Sequence, residues 1–148
     1  MKYSFKLQAP LATFLLRIPL SVMFFQQGFM KYNGDMGAEA EMWNLPYIVW
    51  WFVTYGEIGS ALGLLVGGVI GVIPWHNWFS KFYQTVIWNI GDILTRFSAI
   101  TMTCVVTGVI WLMQPASLLD VILYDYLHIS LYVVALYFAL RGNARYGA

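Results

Sequence analysis

The chain has 148 residues, of which 60% are hydrophobic and only 10% charged, and its formal net charge is +1. A soluble domain usually carries about 25% charged residues, so this composition excludes an ordinary soluble globule and points to a small integral membrane protein. No basic patch of the kind that binds nucleic acid is present, which excludes a nucleic-acid partner.

The first apolar run covers residues 11–30 and predicts a transmembrane helix opened by Pro10. It contains Arg17 and ends at Phe29-Met30-Lys31 without a small-residue cleavage motif, so it is expected to remain as a helix and not to be removed as a leader. Arg17, Ser21, Phe24, Gly28 and Lys31 follow at steps of three and four, which puts them on one face. That face is either a packing stripe with a snorkelling arginine or a ligand-lining stripe.

Residues 32–47 form an acidic connection with turn signals at Asn33-Gly34-Asp35 and Gly37, and residues 38–44 are expected to make a short surface helix. Trp43, Tyr47, Trp50 and Trp51 read as an interfacial aromatic belt.

The second run, residues 48–73, has Glu57 as its single charged residue, and glycines at 59, 63, 67 and 71. An intramembrane carboxylate is expensive, by roughly 2.5–3.5 kcal/mol on insertion scales, so Glu57 is expected to face protein or water and to have a partner. The four-residue ladder Gly59, Gly63, Gly67 and Gly71 predicts close approach of a neighbouring helix. Counting inward from the ends of the two spans puts Arg17 and Glu57 at different depths. Arg17 is then expected to bond backbone oxygens or hydroxyls near Gly67, and Glu57 to meet Lys31 or a ligand near Phe24; the alternative is a direct Arg17–Glu57 salt bridge, which requires span ends several residues from these.

Residues 74–92 pattern as an amphipathic interfacial helix, with Trp78, Phe79, Phe82, Tyr83, Val86 and Ile87 on one side and Ser80, Lys81 and Gln84 on the other. A third span is expected at 97–113 and a fourth at 124–140. The fourth opens with Asp125, His128 and Tyr132 at helical spacing, a polar cluster that is either structural or a short proton relay. Lys2, Lys6, Lys81, Arg96, Arg141 and Arg145 lie on one side of these spans, with Lys31, Asp35, Glu39, Glu41, Asp120 and Asp125 on the other. The positive-inside rule then places both termini in the cytoplasm. The expected fold is all-α: one integral membrane four-helix bundle over residues 1–148, N-in and C-in, with an interfacial helix between helices two and three.

The single cysteine, Cys104, excludes an internal disulfide and with it the thiol-oxidising four-helix membrane enzymes. His76 and His128 fall at opposite faces, about 30 Å apart, and cannot share one iron. Neither haem nor a metal is expected.

Several short motifs carry a resemblance. Leu15-Leu16-Arg17 and Gln27-Gly28-Phe29-Met30-Lys31 stand in the first helix, Glu57-Ile58-Gly59 and Leu62-Gly63-Leu64-Leu65 in the second, and Thr95-Arg96-Phe97-Ser98-Ala99 at the third. Together they resemble the DoxX/DoxD-type family of four-helix bacterial membrane proteins, which includes the small subunit of thiosulfate:quinone oxidoreductase. The chain departs from that pattern at Arg141-Gly142-Asn143-Ala144-Arg145, where the family often has a Gly-Pro-Gly-like turn. It also offers Asp125 and His128 where the family often carries a carboxylate in the fourth helix. The resemblance implies a subunit of a quinone-linked oxidoreductase in a bacterial or archaeal cytoplasmic membrane, with lipid and other membrane subunits as partners. The alternative is an accessory subunit that stabilises a larger membrane enzyme. Candidate ligand-binding or buried polar residues are Arg17, Lys31, Glu57, Arg96 and His128. The expected cofactor is a quinone, whose ring suits apolar walls and whose carbonyls suit a few polar groups.

Overall fold

A computed structural model describes residues 4–73 and 80–143, with side chains from residue 11 onward. Among them there are six helices and no strand. They are α1 (Ser4–Asn33), α2 (Met36–Met42), α3 (Tyr47–Val72), α4 (Lys81–Leu112), α5 (Leu118–Tyr124) and α6 (Tyr126–Arg141). Helix α1 packs along α3, α3 along α4, and α4 along α6, while α6 touches α1. The core between them is Leu20 and Phe24 of α1, Ala61 and Leu64 of α3, Ala99, Met102 and Val106 of α4, and Ala135 and Phe138 of α6.

Helices α3 and α4 are each long and apolar enough to cross a membrane, and α5 with α6 would be a third span if their 99° bend lies within one crossing. Helix α1 has the length, at 30 residues, but Arg17, Gln26 and Gln27 make it less apolar. Leu, Ile, Val and Phe are widely exposed on the outer faces, Leu15, Phe52, Ile93 and Phe97 among them. That is the surface expected where lipid is the solvent, since helices make nearly all of their backbone bonds internally.

The local chemistry sets the helix ends. Asp35 caps α2 by accepting from the amides of Gly37 at 3.0 Å and Ala38 at 3.2 Å. Asn44, at φ 52°, turns the chain toward Pro46, and α3 begins at the next residue. Ser117 caps α5, and Asp125 both ends α5 and caps α6 through the His128 amide at 3.3 Å.

Four expectations are corrected. Residues 81–92 are not a separate interfacial helix but the first turns of a continuous 32-residue α4. Their polar residues interrupt the apolar run without breaking the helix, because no proline or helix-ending glycine stands between Lys81 and Phe97. The remaining part of that expected helix, 74–79, lies outside the described residues, as does His76. The fourth helix does not run unbroken through 124–126: Asp125, at φ −106° and ψ 64°, breaks it. Helix α1 starts at Ser4, so Pro10 lies inside it and removes one helix bond.

Gly59 is the fourth correction. It has open space beside it, whereas Gly63 meets Ser98, and Gly67 meets Thr95 and the Gly91 carbonyl. A four-residue step turns about 40° too far for a 3.6-residue helix, so such a ladder rotates away from a straight neighbour. A seven-residue step turns back by only about 20°, and it is Gly56 that continues the α4 contact, 3.5 Å from Thr101. Gly71 meets Asn143, at 3.3 Å.

Candidate functional site: two buried polar clusters

The first cluster lies where α1 meets α3 near the α2 end. Lys31 Nζ donates to both carboxylate oxygens of Glu57, at 2.7 and 2.6 Å. Glu57 is buried, with 4% of its side chain exposed, and Lys31 retains 16%. Close approach of the backbones permits the contact. Gly28 lies so near α3 that a Cβ there would stand 2.9 Å from Glu57 Cβ and 2.9 Å from the Thr54 carbonyl. The indole of Trp50 lies 5.7 Å from Lys31 Nζ and donates from Nε1 to Glu39 at 3.2 Å, which ties α2 over the pair. On the outer face, rings run in contact from Phe25 to Phe29, Tyr32, Tyr55 and Trp51, all partly or largely exposed.

The second cluster lies at the far end of α3. The Arg17 guanidinium donates to the Leu64 carbonyl at 3.1 Å, to Thr95 Oγ1 at 2.9 Å and to Asn143 Oδ1 at 2.5 Å. It also stacks over the Phe138 ring, 4.7 Å from its centre. Thr95 Oγ1 donates to Asn143 Oδ1 at 3.0 Å, and Asn143 Nδ2 donates to the Gly67 carbonyl at 2.6 Å. Three helices, α1, α3 and α4, converge on one amide in the segment after α6. Gly142 makes this possible, because its φ of 61° turns the chain back under the bundle. The Asn143 backbone amide then donates to Asp92 at 2.7 Å.

Arg17 and Glu57 therefore sit in different clusters and do not bond each other. Seven residues of α3, about 10 Å, separate Glu57 from Leu64, and Phe24, Ala61 and Ser21 occupy the buried faces along this stretch. Ser21 Oγ is buried with no hydrogen-bond partner among the described residues.

Arg96 and His128 fall outside both clusters, and neither is buried. Arg96 has 41% of its side chain exposed. It pairs with Asp92 at 2.8 Å and donates to the carbonyls of Ala139, Leu140 and Arg141. A cation on the last carbonyls of α6 complements the negative end of that helix. His128, 23% exposed, pairs with Asp125 at 2.7 Å at the start of α6. No cluster of three or more His, Cys, Asp or Glu suited to a metal occurs among the described residues.

Asn143 and Asp92 were absent from the sequence candidates. A glycine followed by asparagine just past a helix end is a recognisable capping signal, and it is the one local signal that points to this turn. The depth to which the asparagine side chain reaches was not.

A family model described as DoxX matches residues 12–71, which spans most of α1, all of α2 and nearly all of α3. The motifs around Arg17, Gly28, Lys31, Glu57 and Gly63 fall inside the match, and the motif at 95–99 falls outside it. No curated protein and no solved structure matches the chain.

Proposed function

Starting from the DoxX match over α1 to α3, we propose that this multi-pass helical membrane protein is a subunit of a quinone-linked oxidoreductase, with the quinone head group beside Lys31 and Glu57. The observation that carries the reading is the Lys31–Glu57 pair, set within the matched segment and flanked by the aromatic run from Phe25 to Trp51. A lysine ammonium has three N–H donors, and the Glu57 oxygens engage two. The third suits a quinone carbonyl, and the exposed rings of Tyr32 and Tyr55 suit the face of a quinone arriving from the lipid. A quinone bound there supplies the two-electron acceptor. The chain's own contribution is to hold the ring, polarise a carbonyl through Lys31 and keep the Glu57 carboxyl within reach of a proton. None of these side chains carries electrons, so the donor belongs to a partner subunit.

In this reading α1, α3, α4 and α6 cross the membrane with both termini cytoplasmic. Helix α6, at 16 residues or about 24 Å, is shorter than the ~30 Å hydrocarbon core, and the bent α5 completes its crossing. The test is to purify the protein in mild detergent and extract it for quinone. About one quinone per chain is expected, with occupancy lowered about tenfold in Lys31→Met, as for loss of one charge-assisted hydrogen bond. Quinone-free protein, or unchanged occupancy in Lys31→Met, would overturn the reading.

A second reading, an accessory subunit, is favoured by a separate observation. Phe82, Val86, Ile90, Ile93 and Phe97 are exposed along one face of α4 among the described residues, a face on which a larger membrane partner packs in this reading. A stoichiometric large partner co-purifying without quinone supports this reading over the first.

A further inference from the structure

Helix α2 lies over the Lys31–Glu57 pair, and its side-chain tie to α3 is the bond that Trp50 Nε1 donates to Glu39 at 3.2 Å. Trp50 is buried and its ring stands 5.7 Å from Lys31 Nζ, so the indole forms a wall between the pair and α2. Glu57 keeps 4% of its side chain exposed and Lys31 keeps 16%. The rim at Lys31, under α2, is therefore the more open side of the pair.

Packing holds α2 down only lightly. It has seven residues, Ala40 is its buried one, and a helix that short is marginal without packing. The cap from Asp35 to Gly37 and Ala38 is local and does not reach α1 or α3. Turns flank the helix on both sides. Before it, a Cβ at Gly34 would run into the Glu39 carboxylate, so glycine there leaves room for Glu39 to fold back toward Trp50. After it, Asn44 takes a φ of 52°. A segment with few buried contacts, set between turns of this kind, opens at lower free energy than the helices it covers.

We propose that α2 is a latched lid: release of the Glu39–Trp50 bond swings it off the Lys31–Glu57 pair and opens that pair to proton exchange with water. While closed, the lid keeps the pair in a low-dielectric setting, where the attraction between its charges is stronger. The device needs only the ion pair and its cover, so it stands whether or not a quinone is the ligand there.

The test uses the full chain in phosphatidylcholine nanodiscs and a water-soluble carbodiimide. The reagent activates the Glu57 carboxyl and the Lys31 amine displaces the resulting urea. A Lys31–Glu57 amide forms with net loss of one water, which peptide mapping reads. Trp50→Phe, which keeps a ring and removes the donor, and Glu39→Ala should each speed this crosslink about tenfold, as for loss of one hydrogen bond to a charged group. Glu41→Gln, at an exposed position on the same helix, should react as wild type. A lipid-soluble carbodiimide approaches from the bilayer and should act at one rate on all of these proteins. By hydrogen exchange, the α2 amides of the wild-type chain should open together and ahead of those in the middle turns of α3. Trp50→Phe crosslinking at the wild-type rate overturns the proposal. So does an equal rise with both reagents, which marks a loosened bundle, and so do α2 amides as well protected as those of α3.

Discussion

Arg17 and Asn143 stand 126 positions apart in the chain and are joined by a 2.5 Å hydrogen bond, in a cluster that also holds Thr95 and the Gly67 carbonyl. The bond ties the first long helix to the segment that follows the last. Removing the amide would take one hydrogen bond from buried groups of three helices at once, Arg17, Thr95 and the Gly67 carbonyl. Asn143→Ala is therefore expected to destabilise the protein by about 2–4 kcal/mol, above the loss for one ordinary hydrogen bond. Melting in detergent checks it, and a loss below about 1 kcal/mol would mean that water replaces the amide.

Gly142→Ala tests the turn that delivers that amide. Its φ of 61° disfavours any residue with a Cβ, and the added carbon would also meet Asp92 and would lie 2.7 Å from Arg96 Nε. A loss of at least ~1 kcal/mol is expected, with weaker amide protection in the last turn of α6 by hydrogen exchange.

The glycines of α3 separate by position. Gly63→Leu should drive α3 from Ser98 of α4 and sharply lower folded yield, whereas Gly59→Leu faces open space and should leave yield near wild type. Equal losses at the two sites would contradict the observed packing.

How much of this could be read from the chain alone follows from the range of each interaction. The stripe from Arg17 to Lys31 was legible because the 3.6-residue period puts those residues on one face whatever the neighbour is. The separate depths of Arg17 and Glu57 followed from counting along helices of fixed rise. The ladder at Gly59 misled because spacing alone does not say which way the neighbouring helix runs, and here the contact passes through Gly56. The 81–92 segment misled because amphipathic composition suits an interfacial helix and the free end of a long one equally. Asn143 lay beyond reach because its partners come from α1, α3 and α4, and no local pattern encodes a contact across 126 residues.

Lys31 and Glu57 are expected to be strongly coupled. Either Lys31→Met or Glu57→Gln alone strands a charged or polar partner among buried groups. Each should cost at most the ~3–5 kcal/mol seen for fully buried pairs, since Lys31 keeps some exposure. The double variant should recover much of the loss, and a double-mutant cycle on melting free energies reads the difference. Additive losses would mean that the two groups act independently.

The proposed quinone site places a ring at the α1–α3 face next to Lys31 and Glu57. The most direct measurement is photolabelling of the membrane-embedded protein with an azido-quinone, followed by peptide mapping. Label is expected on the α1 and α3 segments that hold Phe29, Tyr32, Trp51 and Tyr55, suppressed by excess quinone and reduced in Lys31→Met. Label confined to α4 or α6, or label at α1 and α3 that excess quinone does not displace, would contradict it.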